Sequence, residues 1–260
     1  LGAEDHLAVA RAANDSMASL MEKGRGRLLG VAAAPLDLLE NGGLEEMDRA
    51  IKGQGLKGFC VPSNVWGRPL DAPQYRPFWA KAAELDVPVF IHPHDPVSHD
   101  GRPYEGQYDL THAFGWPFET VLALAHLAFS GIMEQYPSLK VVSHHLGGGM
   151  VPFLFGRIVE TYPPEKQERA LGRPLTIPLE ELFGRFYYDT AVGGCGPAIK
   201  CCYEVFGADH MLLSTDSPHG PNGGEGRLES YPRIVRECGI PPAAVDKING
   251  GNAQKLLGIS

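Results

Sequence analysis

A repeated alternation of short apolar runs and longer helical patterns constrains the fold of this 260-residue chain most strongly. Each run ends at a polar or Gly/Pro turn and is followed by a segment whose apolar residues recur at helical spacing. Parallel strands require such crossover segments, because a tight turn can join only antiparallel strands. The pattern therefore predicts an α/β fold with a largely parallel sheet. The predicted strands lie at residues 28–34, 58–62, 87–91, 139–143, 186–189 and 211–215.

Composition excludes several classes of partner. The formal net charge is −8, and no Lys/Arg cluster is dense enough to follow a phosphate backbone or an anionic membrane surface. No apolar run approaches the ~20 residues that a membrane-spanning helix needs. The five cysteines are odd in number and match no zinc-ribbon or redox spacing, so we expect reduced thiols in a cytoplasmic protein.

Three of the apolar runs end directly in side chains that bind metals. His92 follows residues 87–91, His144 and His145 follow residues 139–143, and Asp216 follows residues 211–215. In a parallel barrel the carboxyl ends of the strands meet at one mouth, where active sites are built. Imidazole and carboxylate groups that meet there suit a divalent metal such as zinc, which polarises oxygen or activates water.

Each of these residues also has a structural interpretation. A single histidine at a strand end, such as His92, is more often bonded to backbone in the core. His144 and His145 cannot both face the mouth if the strand continues to alternate. Asp216 could cap the following turn. Arg157, on a predicted helix, could form a surface ion pair or bind a substrate carboxylate. Three strand ends with the same pattern favour a site.

At these residues the sequence resembles the amidohydrolase-related family that contains aminocarboxymuconate-semialdehyde decarboxylase and γ-resorcylate decarboxylase. The resemblance covers essentially the whole chain. The segments that carry it are Phe90-Ile91-His92-Pro93, the run from Lys140 to His145 with the glycines that follow, Gly156-Arg157-Ile158, Ser214-Thr215-Asp216-Ser217-Pro218 and the closing run from Lys247 to Ala253.

The resemblance implies a TIM-type (β/α) barrel of the metal-dependent hydrolase superfamily and roles for individual residues. His92 and Asp216 correspond to metal ligands. His145 corresponds to the residue that transfers a proton, although a one-residue insertion in the glycine run leaves His144 as an alternative. Arg157 corresponds to an arginine that binds substrate carboxylate, in some members across a dimer interface.

One expected feature of the family is missing. Its first strand carries a His-x-His or Glu-x-His pair that completes the metal site, and no such pair precedes the first predicted helix here. We therefore expect residues 1–260 to form a single barrel domain that begins after the first one or two strands. Metal binding is then expected to be complete only with a preceding segment, or else weak or absent.

Three functions remain open at this stage. The first is metal-dependent, non-oxidative decarboxylation of a small aromatic or unsaturated carboxylic acid by a homodimer, with zinc or, second, manganese as the cofactor. In it, His145 and Asp216 act catalytically, and Arg157, His94 and His144 bind the substrate. The second is metal-dependent hydrolysis of a lactone or amide. The third is a catalytically silent remnant that serves binding or oligomerisation.

Overall fold

A six-stranded, all-parallel sheet forms the centre of the fold. The computed structural model describes residues 3–95 and 108–259. The strands of this sheet are β1 (Ala32–Ala33), β2 (Phe59–Pro62), β5 (Val89–His92), β6 (Val141–Ser143), β7 (Tyr187–Asp189) and β8 (Met211–Leu212). They lie in the sheet in the order β1-β2-β5-β6-β7-β8, which is their order along the chain, so each crossover returns beside the preceding strand. A separate antiparallel hairpin pairs β3 (Asn64–Val65) with β4 (Arg68–Pro69).

Helices follow the strands and cover the sheet. None of the described helices is long and apolar enough to cross a bilayer. The α-helices are α1 (Ala3–Gly24), α2 (Leu44–Asp48), α3 (Arg76–Leu85), α4 (Trp116–Phe129), α5 (Ile132–Gln135), α6 (His145–Gly148), α7 (Val151–Thr161), α8 (Pro164–Leu171), α9 (Leu179–Gly184), α10 (Gly196–Phe206), α11 (Glu225–Glu237), α12 (Pro242–Asp246) and α13 (Asn252–Leu257).

The sheet separates two apolar clusters, because successive strand residues point to opposite faces. In β2, Phe59 and Val61 are buried in the large cluster that the helices cover. A second, small cluster contains Val142 and Leu212, and Leu256 of α13 packs into it. Burial of both faces of parallel strands is what a (β/α) barrel produces, with one core outside the strands and one within.

The predicted parallel sheet is confirmed, but its strands are shorter than the apolar runs. Of residues 28–34 only Ala32–Ala33 pairs as a strand, and Leu28 and Leu29 are exposed. Of residues 211–215 only Met211–Leu212 does so. The β3–β4 hairpin was not predicted. The sequence of residues 95–116, which is rich in Gly, Pro and His, also predicts a long loop at the mouth, and residues 96–107 of it lie outside the described residues.

Candidate metal centre and active site

Three strand-end side chains meet at one point of the carboxyl-end face. His92 closes β5, His145 comes two residues after the end of β6, and Asp216 lies in the loop that follows β8. One possible ligand atom from each residue lies within 4.8 Å of those from the other two. All three side chains are partly buried. The convergence that the sequence pattern predicted is therefore present in the structure.

Hydrogen bonds to backbone carbonyls set the orientation of both imidazoles. His92 Nδ1 lies 2.9 Å from the Pro93 carbonyl oxygen, and His145 Nδ1 lies 2.7 Å from that of Ala191. A carbonyl oxygen only accepts, so each Nδ1 carries a proton, and in the neutral form of each ring Nε2 is the nitrogen with the lone pair. Burial, reinforced by the nearby His144, lowers the pKa of His92 and favours the neutral ring that binds metals.

The backbone is strained at two of the three residues. His145 has a φ of 58° and Asp216 a φ of 59°, both in the left-handed region that residues other than glycine seldom occupy. Each such residue costs about 1 kcal/mol or more, and residues of this kind concentrate at functional sites. The turn at His145 redirects the chain so that His144 and His145 no longer alternate as strand residues.

The glycines after His145 bring the chain into close contact with α4. Gly148 has a φ of +68°, and a Cβ on it would lie 2.2 Å from the Pro117 carbonyl oxygen. Any side chain at this position would push the turn away from the helix. The glycine run therefore fixes the distance between His145 and the start of α4.

His144 lies behind the centre as one half of a buried ion pair. Its Nδ1 is 2.7 Å from Asp189 Oδ2, while Asp189 Oδ1 accepts hydrogen bonds from the backbone N–H groups of His145 and Ala191. Burial opposes the charged imidazole, but the hydrogen bond and charge of Asp189 outweigh it and raise the pKa of His144. The pair thus fixes the backbone from which the His145 side chain projects.

A cavity of about 760 Å³ opens onto His92, His145 and Asp216. One wall is aromatic, since the His112 and Trp116 rings lie with their centroids 4.1 Å apart. The volume suits a small organic ligand. The lining residues are His92, His112, Ala113, Trp116, Pro117, His145, Gly148, Gly149, Ala191, Val192, Gly193, Cys195, Ala198, Asp216, His219, Gly220 and Arg227.

Arg227 is the cavity residue that sequence reasoning missed. It lies on α11, and its Nη1 donates a 2.8 Å hydrogen bond to Asp216 Oδ2. Its only sequence signal is a helical position shortly after the strand-end carboxylate, which many surface arginines share. His112, Trp116 and His219 also line the cavity without having been selected.

The three predicted substrate-binding residues lie outside the lining of this cavity. His144 sits behind His145, as described. His94 is exposed and lines a separate depression of about 330 Å³ with Trp66 and residues of α1. Arg157 is exposed on α7, one helical turn from the exposed Phe153.

The donor set fits a divalent metal ion. Ligand bonds of ~2.0–2.2 Å place neighbouring donor atoms roughly 3–4 Å apart, so donors within 4.8 Å of one another need only small side-chain rotations. An imidazole nitrogen and a carboxylate oxygen suit zinc and manganese alike. His92 and Asp216 supply one of each, and the third group, His145, can then serve either as a ligand or as a proton-transfer group beside the ion.

Comparison with known proteins identifies the family from which this arrangement comes. A profile of the family described as amidohydrolase matches residues 2–259. The chain belongs to the amidohydrolase family. The family assignment made from the sequence is thereby confirmed, and so is the predicted TIM-type (β/α) barrel, since solved amidohydrolase-family structures align over nearly the whole chain.

Several relatives in this family are decarboxylases. The 2-amino-3-carboxymuconate-6-semialdehyde decarboxylase of Dictyostelium discoideum is 31% identical over 256 residues, which are 98% of this chain and 68% of that protein. The gamma-resorcylate decarboxylase of Polaromonas sp. is 32% identical over 265 residues, 95% of this chain and 76% of that protein.

A solved structure shows what one such site contains. The crystal structure of a dihydroxybenzoic acid decarboxylase from Polaromonas sp. holds manganese and the inhibitor 2-nitroresorcinol. It is 29% identical to this chain, with a TM-score of 0.82, and the match covers 96% of this chain and 74% of that one.

Proposed function

We propose that this protein is a metal-dependent decarboxylase that removes CO₂ non-oxidatively from a small aromatic or unsaturated carboxylic acid. The observation that carries the proposal is the convergence of His92, His145 and Asp216 at the end of a cavity with an aromatic wall. The relatives that act on resorcylate and on a carboxymuconate semialdehyde support the substrate class.

His92 and Asp216 would hold the metal ion. His92 presents Nε2 because its Nδ1 donates to the Pro93 carbonyl, and Asp216 Oδ1 accepts no hydrogen bond from the described residues while Oδ2 accepts from Arg227. When bound, a divalent ion supplies a positive charge that orients and polarises a substrate oxygen. The manganese of the Polaromonas relative favours manganese over the zinc expected from the sequence, and metal analysis of the purified protein decides between them.

His145 would move the proton. Since its Nδ1–H is held by the Ala191 carbonyl, Nε2 faces the cavity and can accept a proton and pass it on. When the bond to the carboxyl carbon breaks, its electron pair stays on the substrate carbon, and the proton from His145 Nε2 completes the product there. The Asp189 contact to the His145 backbone N–H keeps this side chain in position.

In a homodimer, Arg157 would bind the substrate in the cavity of the partner subunit. Phe153 and Arg157 are one helical turn apart on the exposed face of α7, and Phe153 is 79% exposed, which is unusual for so large an apolar side chain. We propose that this face meets a second copy of the chain, so that Arg157 can approach the partner's cavity. Light scattering of the purified protein tests it, and a monomer at assay concentration contradicts it.

A reducing, cytoplasmic location is also part of the proposal. All five cysteines are free thiols in the structure, and Cys202 is buried in the core. Fractionation of the native host, with blotting of the compartments, tests the location.

The decisive experiment measures CO₂ release from a panel of aromatic acids that includes 2,6-dihydroxybenzoate, with the manganese- and zinc-loaded full-length protein. His145→Gln is expected to keep the metal but to lose at least about 100-fold in rate, because proton transfer by a positioned side chain contributes ~10²–10⁴-fold. Metal-loaded protein that releases no CO₂ but hydrolyses lactones or amides would replace this proposal with a hydrolase. Protein that binds no metal and shows neither activity would point to a silent remnant.

A further inference from the structure

Arg227 places a fixed positive charge in the cavity wall next to the metal centre. Among the described residues that line the cavity it is the only lysine or arginine. Its side chain is 24% exposed, and that of its partner Asp216 is 26% exposed. Because a guanidinium stays charged at every relevant pH, this charge is permanent.

The surrounding chain is shaped to hold the guanidinium where it is. Gly220 has a φ of +101°, and a Cβ on it would lie 2.5 Å from the guanidinium carbon of Arg227. The guanidinium carbon also lies 5.8 Å from the ring centroid of the largely buried Tyr231, within range of a cation–π contact. The absence of a side chain at Gly220 thus creates the space that the arginine head occupies.

The guanidinium keeps most of its donors available. Over residues 3–95 and 108–259 the structure gives it one hydrogen bond, from Nη1 to Asp216 Oδ2. An arginine head has five N–H donors arranged in a planar fork, and two of them together match a carboxylate. A residue that only neutralised Asp216 would need no access to the cavity, whereas Arg227 forms part of its wall.

We propose that Arg227 binds the carboxylate of the substrate beside the metal centre and makes the site selective for acids over their neutral analogues. One Nη1–H stays on Asp216, and the remaining donors bind the substrate anion. The aromatic wall formed by His112 and Trp116 then positions the ring of the same molecule. The substrate class rests on the function proposed above, whereas the selectivity for an anion rests on Arg227 itself.

Equilibrium binding to the metal-loaded full-length protein tests this assignment. The probes are 2,6-dihydroxybenzoate and its neutral isostere 2,6-dihydroxybenzamide, measured by calorimetry with wild type, Arg227→Gln and Arg227→Lys. Losing a charge-assisted pair is expected to weaken acid binding by about 10- to 100-fold in Arg227→Gln. Amide affinity should change by less than about 3-fold, and Arg227→Lys should retain part of the acid preference since it keeps the charge but not the fork.

Arg233→Gln is the matched control, because it removes the same charge from an exposed position of α11. It should leave both affinities unchanged. Equal losses of acid and amide affinity in Arg227→Gln, a wild type without preference for the acid, or loss of the bound metal in Arg227→Gln would each overturn the assignment. A wild type that prefers the acid but releases no CO₂ would instead refute the proposed reaction and leave the anion site intact.

Discussion

Two polar clusters in this protein each contain a carboxylate and differ in how their atoms are paired. Glu46, on α2, is 1% exposed, yet its two carboxylate oxygens accept hydrogen bonds from Asn14 at 2.7 Å and from Arg49 at 2.7 and 2.9 Å. Arg11 adds a further contact at 3.4 Å. Every acceptor at the centre of this cluster faces a donor, and the negative charge is matched by arginines.

The metal centre has the opposite arrangement. His92, His145 and Asp216 each bring a possible acceptor atom to within 4.8 Å of the other two, and the Arg227 guanidinium offsets only part of this convergence by donating to Asp216 Oδ2. A cation in the space between the three side chains would stabilise such a group further. Complementary pairing therefore marks a structural cluster, whereas convergence of acceptors marks a site for a ligand.

The largest expected effect comes from removing one converging acceptor. His92→Ala should abolish stoichiometric metal binding and lower kcat/KM by at least about 1000-fold, because catalysis needs the metal to polarise the substrate. Its unfolding free energy without metal should change by less than about 1 kcal/mol, since the partly buried ring makes few contacts that the core depends on. Metal analysis by mass spectrometry and urea unfolding measure the two quantities.

His126→Gln is the control for that variant. His126 lies on α4, and its Nδ1 is 3.0 Å from Asp71 Oδ1. It is not a member of the metal centre, so replacing it should leave the metal content unchanged. Equal metal content in wild type and His92→Ala would show that the convergence has no ligand-binding role.

An intermediate effect is expected from the complementary cluster. Asn14→Ala removes the donor to Glu46 and the acceptor of the Ala33 N–H, which leaves a buried charge under-bonded. We expect a loss of about 3 kcal/mol in unfolding free energy with no change in metal content. Asn41→Ala, at an exposed position, should cost less than about 0.5 kcal/mol. A stable Asn14→Ala protein that has lost its metal would remove the distinction between the two clusters.

The smallest effect concerns Glu134, a second structural carboxylate. Burial alone would raise its pKa, but hydrogen bonds from the Thr176 hydroxyl and backbone N–H and from Arg173 lower it from 4.5 to about 2. Because the folded pKa is depressed, its stabilisation is present above pH 4.5 and is lost as the pH falls towards 2. Glu134→Gln should therefore cost about 2 kcal/mol at pH 7 and less than about half of that near pH 3, allowing for partial solvent screening.

Urea titrations of both proteins at the two pH values measure this difference. A gap between wild type and Glu134→Gln that does not narrow on acidification would contradict the role assigned to these hydrogen bonds.

Much of the site could be predicted because it depends on strand ends. The apolar runs before His92, His145 and Asp216 show in the sequence where each strand stops, and parallel topology then brings the ends together. The choice between His144 and His145 could not be made in this way, because it depends on the left-handed turn at His145, which the strand alternation does not encode. Arg227 was missed because its position depends on how the loop after β8 folds back onto α11.

Strand boundaries were the weaker part of the fold prediction. Leu28 and Leu29 belong to an apolar run but are exposed, since apolarity does not show which part of a run finds a hydrogen-bonding partner. The β3–β4 hairpin was missed for a different reason: two residues per strand are too few to produce a periodic pattern in the sequence.

The contact between Gly148 and Pro117 has a consequence for anyone who wishes to change the substrate range of this enzyme. A methyl group at Gly148 would lie 2.2 Å from the Pro117 carbonyl oxygen, so enlarging this residue displaces the aromatic wall and the His145 side chain together. Substrate affinity and turnover number would both decrease, and a library randomised at Gly148 would contain few active variants. Ala113 and Ala198 line the same cavity away from that contact, which makes them the better starting positions for redesign.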